Sequence, residues 1–199
     1  MNRRTFAGGL GAACGTLAAD GVGPTLAAGA GQEMIQLADC GMPAEDAQHE
    51  RTLMQWPANK AVHGRNELAN LQRSMSLIAN AIARFEPVVV MADARLHPVV
   101  REQLQGKVEL WPIATDDLWS RDSGPTVVKT LDGRRAVAHI TFNGWGNKQR
   151  HPNDGQIARR VAERIGLPLL ETGLVGEQGG VESDGDGTLL AHASSWVNP

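Results

Sequence analysis

The stretch Trp119-Ser120-Arg121-Asp122-Ser123-Gly124-Pro125 leads directly into a β-rich run, Thr126 to Lys129. A second β-rich run, Ala136 to Ile140, follows after Leu131-Asp132-Gly133-Arg134. Asp-Gly between two such runs is the strongest short-range signal of a β-hairpin. The sequence therefore predicts a compact polar loop that enters an antiparallel pair of strands.

Helices and strands follow one another irregularly along the rest of the chain. Residues 66–85 place large apolar side chains at helical spacing, and Pro87 then stops the helix. Further strands are predicted over 88–91, 108–113, 167–170 and 188–192, and further helices over 98–104 and 156–165. This order predicts an α/β chain that lacks the regular alternation of a doubly wound sheet.

Composition excludes several classes of protein. The 199 residues carry 19 Lys and Arg against 22 Asp and Glu, so no basic excess is available for binding nucleic acid. No apolar run reaches the roughly 18 residues that a membrane-spanning helix needs, and we expect no integral membrane segment. The two cysteines, Cys14 and Cys40, cannot build a disulfide framework, and the histidines lack metal-ligand spacing. A metal site is therefore not expected.

The first thirty residues have the pattern of an export signal. Arg3-Arg4 precedes an uncharged, glycine-rich stretch over 7–19, and Ala28-Gly29-Ala30 ends the segment with small residues. The arginine pair resembles the twin-arginine type of signal. We expect residues 1–30 to be a signal peptide that directs residues 31–199 to the periplasm or the extracellular space. An ordinary flexible start that happens to contain two arginines is the alternative.

Four segments combine tryptophan, glycine, proline and carboxylates in an uncommon way. They are Gly41 to Pro57, Asp116 to Pro125, Phe142 to Gly146, and Glu177 to Leu190. In this order they resemble the agmatine deiminase and Porphyromonas-type peptidylarginine deiminase family of the pentein superfamily. The resemblance rests above all on the Trp-x-Arg-Asp-x-Gly-Pro signature and covers nearly all of residues 41–199. It implies an α/β fold, an incomplete pentein-type propeller built of mixed ββαβ modules, and matches the N-terminal portion of the family only.

The resemblance also implies a site for a guanidinium group. A guanidinium is a planar cation whose N–H groups fit a carboxylate through two parallel hydrogen bonds. By resemblance, Asp122 and Glu177 would bind this cation, and Trp119 would cover its face as a cation–π partner. Trp56 would line the same pocket. In the family a cysteine thiolate attacks the guanidinium carbon and a histidine moves protons, and no cofactor is needed.

The implied reaction is hydrolysis of a guanidinium C–N bond in a small cationic substrate. Agmatine would yield N-carbamoylputrescine and ammonia in putrescine biosynthesis, or arginine would yield citrulline. The Met-Pro-Ala-Glu and Phe-Asn-x-Trp-Gly motifs in these segments favour agmatine as the substrate. Two alternatives stay open: a vestigial or non-catalytic guanidinium-binding protein, and an amidinotransferase on the same scaffold.

Each candidate residue also has a purely structural interpretation. Asp122 could pair with the neighbouring Arg121, Glu177 could be a solvated turn residue, and Trp119, Trp145 and Trp56 could belong to the core. Gln178 stands where the family usually has glycine, and a positive φ there would strain the loop that aims Glu177.

The blocks that carry the family's nucleophile and proton-shuttling histidine do not occur in this sequence. His192 lies on a predicted strand but outside any such block, and Cys40 precedes the first family motif. We therefore expect the sequence to be the front part of a longer enzyme and to be catalytically incomplete. A propeller cut at this point leaves an open sheet edge near residues 189–192, so we also expect aggregation or self-association into homo-oligomers.

The export signal makes a direct prediction. Replacing Arg3 and Arg4 together by lysine should block export, because the twin-arginine route reads the pair specifically. Cell fractionation, with processing after Ala30 as the second readout, measures the effect. Unchanged export and processing would assign the segment to the general secretory route instead.

Overall fold

Three separate sheets organise the part of the chain that the computed structural model describes, residues 34–197. The signal peptide expected over residues 1–30 lies outside the described residues. The strands are β1 (Cys40–Gly41), β2 (Thr52–Gln55), β3 (Val88–Met91), β4 (Glu109–Trp111), β5 (Thr126–Thr130), β6 (Arg135–Thr141), β7 (Leu169–Val175), β8 (Val181–Ser183) and β9 (Leu189–Ala191). The helices are α1 (Lys60–Ile82), α2 (His97–Gln103), α3 (Ser120–Ser123), α4 (Ile157–Ile165) and α5 (Ala193–Trp196).

The first sheet is parallel, in the order β2-β3-β4, and is covered on both faces. All four residues of β3 are buried, as expected for a strand inside a parallel sheet. Val88 and Val90 pack in a core that includes residues of α1 and α2, whereas Val89 and Met91 pack with Ile157 and Val161 of α4. The alternation follows from the two-residue period of a strand.

The second sheet has the order β1-β5-β6-β7 and contains the predicted hairpin. β5 and β6 pair antiparallel around Gly133, whose φ of 84° suits the turn. α4 then crosses over to β7, which runs parallel to β6. Strands β5 and β6, helix α4 and strand β7 therefore form one ββαβ module, the unit that the sequence predicted. This module also supplies the helix that covers the first sheet.

The third sheet is a short antiparallel pair, β8 and β9. Leu189 and Leu190 on β9 are 57% and 69% exposed. The backbone N–H of His192 donates to the carbonyl oxygen of Gly180 at 3.0 Å, which ties the end of β9 to the segment before β8.

Helix α1 and strand β2 are among the elements that differ from the sequence-based expectation. The helix predicted over 66–85 begins at Lys60 and ends at Ile82, because Asn59 caps the N–H groups of its first turn and Gly64, with a φ of 68°, interrupts the spacing. Phe85 is 85% exposed and lies beyond the helix, in the turn before Pro87. Strand β2 was not predicted, since four residues with a parallel partner leave no hairpin signal.

No helix between residues 34 and 197 combines the length and apolar character needed to cross a bilayer. Within the same range, no three histidine, cysteine or acidic side chains are grouped so that they could hold a metal ion.

A buried polar network joins the first sheet to the loop after β4. The carboxylate of Asp154 accepts hydrogen bonds from the backbone N–H groups of Asp116 and Asp117 at 2.8 and 3.1 Å. It also accepts from the side-chain amide of Gln55, at 3.1 Å. Gln55 in turn accepts from the Ser123 hydroxyl at 2.8 Å. The loop that precedes β5 is thereby attached at both of its ends to buried groups.

Burial raises the pKa of Asp154 to about 6, against an ordinary value of 3.8. Because the folded pKa is raised, the stabilising contribution of Asp154 is complete below about pH 4 and is lost as the pH rises through about 6. The free energy of unfolding of the unsubstituted chain minus that of Asp154→Asn should therefore fall by about 2 kcal/mol between pH 4 and pH 7. Urea denaturation of both chains across this range measures it.

The control is the buried hydroxyl of Ser76, which does not titrate. For Ser76→Ala the corresponding difference should not vary with pH. A pH-independent difference for Asp154→Asn would show that Asp154 is not protonated more readily in the folded chain.

Candidate active site

The loop after β4 presents two of the predicted site residues on one helical turn. Trp119 stands at the N-terminal cap of α3, and Asp122 lies within it. Gly124 ends the turn, where a Cβ would lie 2.3 Å from the carbonyl oxygen of Ser120, so only glycine permits this close approach. The indole of Trp119 is 46% exposed, whereas Asp122 is half-buried.

The segment before β8 brings the second carboxylate to the first. A Cβ on Gly179 would lie 1.9 Å from Oδ1 of Asp122, so the backbone at Gly179 passes directly against that carboxylate. Glu177, two residues earlier, precedes the single 3-10 turn Gln178–Gly180. The sequence-predicted pair Asp122 and Glu177 is therefore brought together across 55 residues of chain by the contact at Gly179.

Glu177 is only 8% exposed, and its Oε2 has no hydrogen-bond partner among the described residues. An ionised carboxylate oxygen that is buried without a donor is costly unless a cation or donor reaches it. Neither Glu177 nor Asp122 forms an ion pair within residues 34–197. The pair therefore presents unsatisfied negative charge.

The surroundings of Asp122 raise its pKa. Burial is the largest cause, followed by the negative charge of Glu177. A hydrogen bond from the Trp145 side chain and the charge of Arg121 act in the opposite direction. A carboxyl whose ionised form is disfavoured in this way is a recognised mark of a functional site.

Arg121 does not neutralise its neighbour Asp122, because its guanidinium points to another segment. It donates to both carboxylate oxygens of Glu45 at 2.6 and 2.9 Å and lies 3.4 Å from Glu182. The alternative interpretation, in which Asp122 is the ion-pair partner of Arg121, is therefore wrong. Glu45 belongs to the Met-Pro-Ala-Glu segment. Its bidentate contact with Arg121 explains why this segment lies near the loop after β4.

Two tryptophans form the wall beside the carboxylates. The rings of Trp119 and Trp145 meet edge to face with centroids 6.1 Å apart. Phe142 packs edge to face on Trp145 at 5.1 Å, and His151 on Phe142 at 5.4 Å. The Phe-Asn-x-Trp-Gly segment thus supports the exposed indole of Trp119 from behind.

The turn that holds Trp145, Gly144–Asn147, is left-handed. Its four residues have φ values of 64°, 58°, 75° and 60°, and two of them, Trp145 and Asn147, are not glycine. Left-handed conformation costs a residue with a Cβ about 1–2 kcal/mol. The Asn143 side chain accepts from the N–H of Gly146 at 3.0 Å and helps to hold the turn. Backbone strain of this kind typically lies at binding and catalytic sites.

Two adjacent carboxylates and an exposed indole match the chemistry of one ligand class. A guanidinium can donate paired hydrogen bonds to carboxylates while its flat face lies on an aromatic ring. Residues 41–199 match the sequence family of the Porphyromonas-type peptidyl-arginine deiminases. The chain belongs to this family.

Named relatives of the family are agmatine deiminases. The agmatine deiminase of Stutzerimonas stutzeri is 35% identical over 164 residues, covering 79% of this chain and 44% of that protein. A Streptomyces coelicolor relative is 41% identical over 154 residues, 75% of this chain and 45% of its own length. The solved structure of the Enterococcus faecalis agmatine deiminase matches with a TM-score of 0.75 at 26% identity. It covers 81% of this chain and 46% of that chain.

These matches confirm the pentein-type α/β fold that the sequence predicted. They also show that the chain spans less than half the length of the relatives it matches, 44% to 46% of each. The described residues therefore correspond to part of the propeller found in this family.

Trp56, the fourth residue predicted for the family's site, is not brought to the carboxylates. Its side chain is 2% exposed and packs in the core with Met54, Val88 and Val90. The sequence suggested the site because Gln55-Trp56-Pro57 ends the first of the four family segments. The structure places the indole in the core instead, since β2 continues the first sheet up to Gln55.

Gln178 does not strain the loop that carries Glu177. Among the described residues, the non-glycine residues with positive φ are Trp145 and Asn147. Gln178 begins a regular 3-10 turn. The position in this turn that requires glycine is Gly179, because a Cβ there would meet the carboxylate of Asp122.

Neither Cys40, as a candidate nucleophile, nor His192, as a candidate base, lies in an environment suited to nucleophilic attack or proton transfer. Burial, and then the charge of Asp39, raise the pKa of Cys40, the opposite of what thiolate formation requires. Cys40 lies on β1, and its thiol donates to the carbonyl oxygen of Gln36. His192 contacts the Ser194 hydroxyl at 2.8 Å on the exposed end of β9.

Removing the Glu177 charge should lower the pKa of Asp122. Glu177→Gln keeps the shape of the side chain but eliminates the negative charge that disfavours ionisation of Asp122. Carbon-13 NMR titration of the Asp122 carboxyl group measures the change. Glu182→Gln, at an exposed carboxylate that pairs with Arg121, is the matched control and should leave the Asp122 pKa nearly unchanged. An equal effect of both substitutions would contradict the pairing of Asp122 with Glu177.

Proposed function

We propose that this chain provides the guanidinium-binding part of an enzyme that hydrolyses the C–N bond of a guanidinium substrate. The observation that carries the proposal is the pair of adjacent carboxylates, Asp122 and Glu177. One oxygen of Glu177 is buried and has no hydrogen-bond partner among the described residues. A guanidinium would satisfy Glu177 and Asp122 together, and its positive charge would reverse the repulsion between them. The exposed indole of Trp119 supports the same ligand.

Agmatine is the substrate that we propose first. The relatives named above are agmatine deiminases, and both the Met-Pro-Ala-Glu and Phe-Asn-x-Trp-Gly segments favour that branch of the family. The product would be N-carbamoylputrescine with release of ammonia, a step toward putrescine. Arginine or a peptidyl-arginine is the alternative within the same chemistry, and the family's own description supports it.

Within this proposal Asp122 and Glu177 orient the guanidinium so that its carbon is open to attack. Trp119 covers one face of the cation, so a nucleophile would approach from the other. In the family this nucleophile is a cysteine thiolate, attack yields a covalent intermediate with loss of ammonia, and water then releases the product. The two cysteines of this sequence, Cys14 and Cys40, are not in the family's nucleophile block.

A non-catalytic guanidinium-binding protein is the second candidate function. The observation that favours it is the raised pKa and backbone-bonded thiol of Cys40. Under this candidate the same two carboxylates bind the cation, and no covalent step follows.

The proposal includes export and self-association. The Arg3-Arg4 pair and the small residues before position 31 support export to the periplasm or the medium. The exposed leucines of β9, Leu189 and Leu190, support association between copies.

Binding of agmatine by the 199-residue chain tests the proposed site. We expect a Kd of about 1 mM, because Trp119 is 46% exposed and leaves the site partly open to water. The resonances of the tryptophan indole N–H groups report binding, and butylamine serves as the ligand control without a guanidinium. Asp122→Asn and Glu177→Gln should each weaken binding about tenfold. Glu163→Gln, at an exposed helical carboxylate, should not.

The pH dependence provides an independent check on Asp122. A cation binds the ionised carboxylate, so affinity should be full above the raised pKa of Asp122 and fall as the pH decreases through it. Asp122→Asn should remove the part of this dependence that Asp122 causes. Equal affinity for agmatine and butylamine, or no effect of either site substitution, would contradict the proposed site.

Turnover separates the two candidate functions. We expect the 199-residue chain alone to release no ammonia from agmatine above a protein-free control, because no residue of the family's nucleophile block is present in it. Ammonia release that Asp122→Asn abolishes would show instead that this chain contains a working nucleophile.

A further inference from the structure

Asp117 is a buried carboxylate outside the proposed guanidinium site, and it contacts three segments of the chain. Its side chain is 1% exposed. Oδ1 lies 2.8 Å from Nε2 of His63 and accepts the backbone N–H of Leu118 at 2.9 Å. Oδ2 accepts the side-chain amide of Gln149 at 3.0 Å. Both oxygens are therefore occupied by protein donors, and neither is available to a ligand.

The backbone of Asp117 is held as firmly as its side chain. Its N–H donates to Oδ2 of Asp154 at 3.1 Å, and its carbonyl oxygen accepts from the Gln55 amide at 3.3 Å. The carboxylate thus projects from a point that the buried network of the core has already positioned. The groups that hydrogen-bond to this carboxylate are therefore held in a fixed position relative to the first sheet.

Two of the three contacts lead directly to the aromatic wall of the site. Leu118 precedes Trp119 in the chain. Gln149 follows the left-handed turn, and its own N–H donates to the carbonyl oxygen of Gly144 at 3.3 Å. That turn presents Trp145 to the ring of Trp119 and to the carboxylate of Asp122. One carboxylate therefore joins the loop that carries the cation-binding residues to the loop that supports them.

The left-handed turn needs such an external restraint. Two of its residues carry a Cβ in a conformation that L-amino acids disfavour, so the turn relaxes unless its surroundings hold it. Asn143 restrains the turn from within, through Gly146. The amide of Gln149 restrains its end from the core, through Asp117.

We propose that Asp117 is a positioning residue for guanidinium binding, acting through Gln149 on the turn that holds Trp145 against Asp122. His63, on the first turn of α1 before the break at Gly64, is its third partner and anchors the same carboxylate to the helix. The inference deepens the proposed function and rests on it for the ligand. Asp117 does not touch the cation, and its effect is on how the indole and the carboxylate are presented.

An exchange of the two polar groups tests the coupling. Gln149→Glu places a second carboxylate against Oδ2 of Asp117, so Trp145 should be displaced and agmatine affinity should fall about tenfold. Adding Asp117→Asn restores a donor–acceptor pair with its direction reversed, and affinity should return to within about threefold of the original. If the two residues instead acted independently of each other, the second substitution would lower agmatine affinity further. Gln105→Glu, at an exposed glutamine, is the matched control and should change nothing.

The indole N–H resonance of Trp145 gives a readout that needs no ligand. It should shift in Gln149→Glu and return in the double variant. If Gln149→Glu does not fold, Gln149→Met removes the amide donor without adding charge, and it should shift the same resonance and weaken binding. An unshifted Trp145 resonance in a folded Gln149 variant, or a double variant that shows no recovery, would overturn the inference. Failure of the unsubstituted chain to bind agmatine would contradict the proposed function instead, and the Trp145 resonance would still decide the role of Asp117.

Discussion

The carboxylate of Asp154 is the group on which the rest of the described structure depends. Buried polar atoms must find partners, and the loop after β4 would otherwise leave the N–H groups of Asp116 and Asp117 unsatisfied beside the core. Asp154 accepts both and also receives the amide of Gln55 at the end of β2. Because it lies just before α4, the same residue attaches the ββαβ module to the first sheet. The loop that presents Trp119 and Asp122 is located by this one arrangement.

The candidate site combines rigid support with unsatisfied charge. The Arg121 guanidinium, the nearest cation in sequence, pairs with Glu45, so Asp122 lies beside Glu177 with no ion-pair partner among residues 34–197. The backbone at Gly179 passes directly against Asp122, so the two segments lie together in spite of the repulsion between their carboxylates. Strain in the turn that carries Trp145 also indicates a functional site, because a fold retains disfavoured conformations where they position a functional group. In the proposed site, a planar cation would offset this charge without disturbing the support.

Local patterns predicted much of the fold. The Asp-Gly hairpin, the strand over 88–91 and the helix over 156–165 depend on neighbouring residues, and the structure contains all three. The start of α1 was missed because the capping contact of Asn59 and the break at Gly64 are not visible in apolar spacing. Strand β2 was missed because a parallel partner 36 residues away leaves no local signal. Trp56 illustrates the limit for single residues, since an indole within a family segment can serve the core or the site.

The sequence by itself determined the family and the α/β class, because the order and residue content of four segments carry that information. It also singled out the two carboxylates that we propose bind a guanidinium. Only the tertiary structure decided which groups those carboxylates meet. Arg121 turns to Glu45 and leaves Asp122 unpaired, Gly179 rather than Gln178 makes the close approach, and Asp117 joins the two loops. The physical reason is that hydrogen bonds, burial and charge repulsion act between residues dozens of positions apart, and their outcome depends on distances that no linear pattern contains.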